Sequence, residues 1–366
     1  MFGKLPKASA TPTRYAADML TIDSIRFAAV IAAVAVIPSF DLPAANVYPP
    51  LPETITSFGA VTHDGWLYVF GGHKGKRHDY TAEMVSGSLL RLKLKGGKTW
   101  ETLPSAPPGQ GLALVACGHY LYRIGGMAAR NHEGQQEDLY SLSLVQRFDL
   151  RKQRWEDVAP MPEPRSSLDA VVIGSKLYVA GGWNLTGGTN EPIWHTNSLV
   201  LDLAHPQAGW KTFAQPFQRR ALALAALGVR LYCIGGMDSD NEPTLAMDVY
   251  DTFTGQWSKG PDLPLGKYKG FGCSAIAQNG RIYATAFKGD LLQLSPDGNS
   301  WEVIGRLEQP RITHRLVTAG KKQLVVLGGE DGRENKTPGL ELLTPAAKPL
   351  TVEHPTTAQT APHVHQ

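Results

Sequence analysis

The chain has 366 residues, 42% of them hydrophobic, which is enough to bury a substantial core and excludes wholesale disorder. Its 38 Gly and 26 Pro favour many short strands and turns over long helices. Charged residues make up only 19%, the formal charge is +3 and no Lys/Arg block stands out, which argues against a nucleic-acid partner; three cysteines are too few, and odd in number, for a disulfide scaffold.

Residues Phe27 to Ile37 form an unbroken apolar run of eleven, short of the roughly 20 residues a bilayer-spanning helix needs. Lys4, Lys7, Arg14 and Arg26 precede it, the layout of a secretory leader. Asp18 and Asp23 interrupt the basic region, no clean A-x-A stands near Ala44 and Ala45, and Met19 offers a second possible start. The expectation is a signal peptide or membrane anchor over residues 1–45 and an exported protein (periplasm, cell surface or secreted). The membrane is a partner only if that segment is retained as an anchor. The alternative is a cytoplasmic chain with this segment packed as a helix. From residue 346 to 366 the chain is rich in Pro, Thr, Ala and His and reads as a disordered tail.

Between these ends the chain repeats. Six segments align: GAVTHDGWLYVFGG, ALVACGHYLYRIGG, AVVIGSKLYVAGG, ALAALGVRLYCIGG, SAIAQNGRIYATAF and RLVTAGKKQLVVLGG. Each is an apolar strand, a tight turn and a second apolar strand. Five carry a Tyr three residues before the closing pair: Tyr68, Tyr122, Tyr178, Tyr232 and Tyr283. The pair is diglycine in five copies, namely Gly71–Gly72, Gly125–Gly126, Gly181–Gly182, Gly235–Gly236 and Gly328–Gly329, and Ala286–Phe287 in the fifth copy. A polar loop, a third strand and a Trp follow: Trp100, Trp155, Trp210, Trp257 and Trp301. Four strands per unit of 40 to 56 residues is the pattern of a propeller blade. Glycine pairs allow positive φ and close approach of a neighbouring blade, while Tyr and Trp supply apolar area with a polar tip.

The arrangement resembles the kelch repeat, over about 300 of the 366 residues. The resemblance implies an all-β, six-bladed kelch-type β-propeller over residues 46–345. The sixth copy lacks a Trp strand, and ANVYPPLPE before the first copy, with Tyr48 in the Trp position, looks like the missing piece. An N-terminal strand near 46–52 is therefore expected to close the ring, since an open ring leaves strand edges exposed.

In such blades the loops after each diglycine and the links between blades share one face, and function is expected there. Counting back from each diglycine finds Arg165, Arg219 and, allowing one extra turn residue, Arg311 at one register. Lys267, Tyr268 and Lys269 crowd the equivalent zone of blade five, with Arg220, His314 and Arg315 nearby, whereas blades one and two offer Ile55 and Gly109. One half of the channel mouth is thus expected to be positive and to favour an acidic carbohydrate or acidic protein segment. The competing reading is that each arginine only bonds backbone carbonyls or acids of the next blade. Some kelch adaptors capture acidic peptides with such arginines, which supports recognition by resemblance.

No cofactor and no metal site is expected. Copper radical oxidases of kelch architecture need a crosslinked Cys–Tyr pair, and Cys117, Cys233 and Cys273 all fall within blade strands. The histidines of the loop face, His73, His78, His132 and His195, show no metal-binding spacing. Exported bacterial kelch proteins include sialic-acid mutarotases (N-acetylneuraminate epimerases), a distant resemblance that implies an isomerase alternative. There Arg165, Arg219 or Arg311 would clamp a carboxylate and Glu133, Glu191, His132 or His195 would move protons. The leading expectation is a non-catalytic recognition module whose ligand-binding set is Arg165, Arg219, Arg220, Lys267, Tyr268, Arg311, Arg315, His132 and His195.

Overall fold

The computed structural model describes residues 48–350 except 189, 265, 267, 268 and 349. The expected leader, most of the tail, and Lys267 and Tyr268 lie outside the described residues. No helix among the described residues is long and apolar enough to cross a membrane.

The described chain is built from antiparallel sheets, with only two single-turn 3-10 segments and no α-helix. Six blades follow one another. Blade one comprises Gly59–His63, Trp66–Phe70, Leu89–Lys93 and Glu101–Leu103, paired in that order. Blades two to five repeat this order from inner strands Ala113–Cys117, Asp169–Ile173, Ala223–Leu227 and Ser274–Gln278. Blade six has Arg315–Ala319, Gln323–Leu327 and Leu340–Leu343. Each inner strand packs on the next, and that of blade six packs on that of blade one, so the ring is closed. Alternation along the strands buries Leu67, Val69, Val325 and Leu327 between blades six and one, and equivalent sets between every other pair.

The diglycine shows why the repeat demands it. Gly72 N–H donates 2.9 Å to Gly109 O of the next blade, and Gly126, Gly182, Gly236 and Gly329 do the same to Arg165, Arg219, Gly270 and Ile55. To allow that approach the preceding residue must lack a side chain: a Cβ on Gly71 would sit 2.4 Å from Gly109 O, at φ +70. The Trp of each blade ties the outer rim. Trp155, Trp210, Trp257 and Trp301 donate their indole N–H to Pro104, Ala159, Ala214 and Pro261 O, each at or just past the end of the outer strand of the blade before, at 2.8–3.0 Å.

The Trp bond and one further main-chain bond locate the closure. Trp100 Nε1 donates 3.2 Å to Pro49 O, and Leu51 N–H donates 2.8 Å to Pro338 O on blade six. Tyr48, Leu51 and Ile55 are buried against Val317, Val325, Leu327 and Leu340. The N-terminal segment therefore packs on blade six and links it to blade one, as the sequence implied, but the strand expected near 46–52 is not formed over the described residues 48–52, and blade six has three strands among the described residues. Beyond residue 345 the chain keeps its bonds for a little longer: Ala346 and Leu350 donate to Ile304 and Val303 O along the outer strand of blade five. That covers an otherwise open strand edge.

At one end the channel is closed by a ring of main chain. Ser57, Gly111, Ser167, Ala221, Gly272 and Thr313, one from each blade link, all have φ between +51 and +60. Their N–H groups run head to tail, Gly111 to Ser57 O, Ser167 to Gly111, Ala221 to Ser167, Gly272 to Ala221, Thr313 to Gly272 and Ser57 to Thr313, at 2.7–3.1 Å. Just inside it lies a cavity of about 60 Å³. There Arg315 crosses the channel, donating to Phe58 O, Leu112 O and Asp169 Oδ1 at 2.8–3.2 Å. The rest of the channel is a cavity of about 330 Å³ walled mostly by Ala, Val and Leu.

Candidate functional site

The post-diglycine loops and the blade links share a face, as expected, because short bridges join them: Thr56 with His73, Gln110 with Met127, Ser166 with Trp183, Arg219–Arg220 with Met237–Asp238, and Ile312 with Glu330.

Three of the expected ligand arginines are not available there. Arg165, Arg219 and Arg311 are 0%, 3% and 1% exposed. Arg165 donates to Gly181 O and to the O and Oδ1 of Asn197 at 2.6–2.9 Å. Arg219 donates to Gly235 O, Ala246 O and the buried Asp248 carboxylate at 2.6–3.0 Å. Arg311 donates to Gly328 O, Gly339 O and Glu341. In each case the guanidinium grips the first glycine carbonyl of its own blade, while for Arg165 and Arg219 the backbone carbonyl holds the preceding blade. They are rivets. Burial depresses all three, Arg165 and Arg311 to about 10, a shift that still leaves them charged. Blade two, whose register position is Gly109, uses Arg123 instead: it is 0% exposed and donates to Pro107 O and Gly125 O. Sequence reasoning passed over Arg123, although a charge inside the apolar strand Tyr120–Ile124 was the available signal.

The histidines also leave the site. His195 is buried, its Nε2–H directed at Pro164 O at 3.0 Å and its Nδ1 3.2 Å from Glu163, with burial holding its pKa near 4. His132 is exposed and pairs with Glu83 of the neighbouring loop. Glu133 and Glu191 are exposed loop residues. Arg315 is spent on its cross-channel bonds.

Arg220 is different. Its guanidinium lies 4.1 Å from the Trp183 ring centroid, 5.7 Å from Phe271 and 6.0 Å from Trp194. The short ladder pairing Trp183 with Trp194 stands these indoles together, ring centroids 5.4 Å apart. The one acceptor offered to Arg220 among the described residues is the Met237 thioether, 2.8 Å from Nη2, a weak partner for a cation. Its Nε–H and the neighbouring Trp183 Nε1–H have no acceptor among the described residues. Burial lowers Arg220 to about 10, so it stays charged at neutral pH.

Tyr80, from the loop of blade one, completes the surround. Burial raises its pKa, the charges of Glu137 and Glu330 raise it further, and Arg220 lowers it. Of those two acids, Glu330 is already held by Arg77 at 2.8 Å. Side chains from the loops or links of blades three, four and five thus surround one half-buried, under-bonded guanidinium with aromatic walls, and Tyr80 of blade one is close enough for their charges to couple. Among the described arginines of the expected set, the one left without a strong internal partner is Arg220, in an aromatic cage; Lys267 and Tyr268 lie outside the described residues and Lys269 is exposed.

A closed ring of repeated four-stranded sheets, tied by diglycine and Trp bonds, defines a kelch-type β-propeller. The chain belongs to the kelch-repeat family: the model of the KLHDC2/KLHL20/DRC7 Kelch-repeats domain matches residues 57–286. It is similar to Kelch-like protein terF of Aspergillus terreus, 25% identical over 241 residues, covering 64% of this chain and 50% of that protein. It is also similar to mouse Kelch-like protein 40, 30% identical over 189 residues, covering 51% and 27%. The chain spans half the length, or less, of these curated relatives. Among solved structures, "Structure of YjhT" superposes with a TM-score of 0.67 at 17% identity, covering 84% of this chain and 99% of that one, a likeness of fold.

Proposed function

We propose that this protein is a recognition module that binds an acidic protein segment at the loop-face mouth of the propeller, with Arg220 as the anchoring cation. One observation carries the reading: Arg220 is a half-buried guanidinium whose partner among the described residues is a thioether, beside an indole N–H that has no acceptor among them either. A carboxylate is the group that satisfies such donors, and the faces of Trp183, Trp194 and Phe271 sandwich the side chain that carries it. An acidic sugar presents the same carboxylate and is the control ligand. The module acts outside the cytoplasm in this reading, on the strength of the apolar run Phe27 to Ile37.

The test is a thermal-shift series on the full chain with a Glu/Asp-rich peptide, its Gln/Asn counterpart, an acidic sugar and a neutral sugar, at low and moderate salt. A ligand at 100 times its Kd adds roughly 2.7 kcal/mol, a shift of about 4 °C for a propeller of this size. Salt-sensitive stabilisation by the acidic peptide alone supports the reading. Stabilisation by the acidic sugar alone assigns the site to a carbohydrate, and silence from both overturns it.

A further inference from the structure

The seam between blades six and one carries a second feature, independent of the Arg220 reading. His73, in the loop after the first diglycine, is 3% exposed. Its Nε2 lies 2.9 Å from Asp79 O, and a carbonyl only accepts, so the imidazole proton sits on Nε2 and Nδ1 is an acceptor. Lys336, from the loop of blade six, places its Nζ 3.0 Å from that Nδ1 and 2.8 Å from His73 O. Two of the amine's bonding directions are thereby fixed on His73. Lys336 also lines a cavity of about 370 Å³ bounded by Pro310, Asn335, Thr337 and Pro338.

We propose that Lys336 is a site of Nζ-acylation, taking acyl groups from thioester or acyl-phosphate donors that enter this cavity, and that acylation loosens the loop of blade one from that of blade six. The neutral amine directs two N–H groups at His73, which turns its lone pair away from them. The lone pair forms the N–C bond to the acyl carbon, the C–S or C–O bond to the leaving group breaks, and the thiolate or phosphate departs with that electron pair. The surplus amine proton passes to solvent. The product amide retains one N–H and no charge, so at least one of the two His73 bonds is lost, while the Arg77 pair with Glu330 at 2.8 Å remains.

Burial supports the chemistry, lowering the Lys336 pKa to about 8 against the opposing pull of Glu330. About a quarter of the amine is then neutral at pH 7.5, against roughly one in a thousand for an ordinary lysine. Reduced basicity and partial burial return much of that advantage, leaving an expected rate excess of about tenfold.

The experiment is a time course of the full chain with acetyl phosphate at pH 7.5, read by peptide mass spectrometry. Lys336 is expected to acetylate about tenfold faster than Lys74 and Lys76, exposed lysines of the facing loop. Acetylation of Lys336 at their rate or below overturns the assignment. Hydrogen exchange then reads the consequence: amides of residues 73–80 exchange several-fold faster after acetylation, and do not in a Lys336→Arg chain treated the same way. Unchanged exchange in the acetylated wild type overturns the loosening.

Discussion

Arg165 and Arg220 make a matched pair of experiments, because the sequence gives them equal standing and the structure gives them opposite roles. Replacing Arg165 with Ala removes three bonds of 2.6–2.9 Å and leaves Gly181 O and the O and Oδ1 of Asn197 without that donor. Bonds from a charged donor contribute about 1.5–3 kcal/mol each, and water entering the hole recovers part of the loss, so Arg165→Ala should cost about 3–5 kcal/mol. With some 300 ordered residues the unfolding entropy near Tm is about 0.6 kcal/mol/K, so Tm should fall by about 5–8 °C. Arg220→Ala forfeits a cation–π contact of about 1 kcal/mol but relieves an under-bonded buried cation. Its Tm should move by less than about 2 °C. Thermal denaturation by circular dichroism, run side by side on the full chains, separates the two. If Arg165→Ala melts with the wild type, or Arg220→Ala falls as far as Arg165→Ala, the division into rivet and anchor is wrong.

Further predictions concern the frame that holds the site. Gly125→Ala drives a Cβ to within 2.4 Å of Arg165 O at φ +58, so the chain should lose more than about 2 kcal/mol in a urea titration. Ala221→Gly, in the main-chain ring at φ +51, relieves left-handed strain without removing a packed side chain and should gain about 0.5–1 kcal/mol in the same titration; a loss would mean the ring is unstrained. Acid should weaken the fold through its buried histidines. His73 and His195 are held near 4 and His314 near 3, chiefly by burial, whereas the unfolded chain protonates them near 6.5. The folded pKa lies below the unfolded one, so their contribution is complete above about pH 6.5 and drains away as pH falls towards 4. Stability measured at pH 7.5, 6 and 5 should decline over that window, and a flat profile would contradict the burial of these rings.

The parts of this fold that were legible in the sequence are those where the chemistry resides in the side chain, or in the lack of one. A Cβ-free pair and an indole every 40 to 56 residues answer to fixed contacts between neighbouring blades, so Gly71, Gly125, Trp155 and Trp210 announced the propeller. The register of Arg165, Arg219 and Arg311 was equally visible, but their acceptors are mostly main-chain carbonyls, which no sequence displays. A charge with an invisible partner reads equally as free or as spent on backbone, and it is the second reading, a bond to main-chain carbonyls, that the structure shows for Arg165, Arg219 and Arg311. Arg123 was missed for the converse reason, since it reaches Gly125 O from a strand instead of a link. The ring through Ser57, Gly111, Ser167, Ala221, Gly272 and Thr313 left no signal because only two of its six members are glycine. Arg220 was named among the candidates, but its cage depends on the pairing of Trp183 with Trp194 across a loop, a conformation that spacing does not reveal.

The most direct test of the recognition account is a titration of the full chain with a Glu/Asp-rich peptide at low salt, followed through the fluorescence of Trp183 and Trp194. The wild type and Arg165→Ala, compared at a temperature where both are folded, should bind with similar affinity and weaken together as salt is added. Arg220→Ala should lose at least tenfold while keeping its melting curve. Equal binding by wild type and Arg220→Ala, or loss of binding only in Arg165→Ala, would contradict the account.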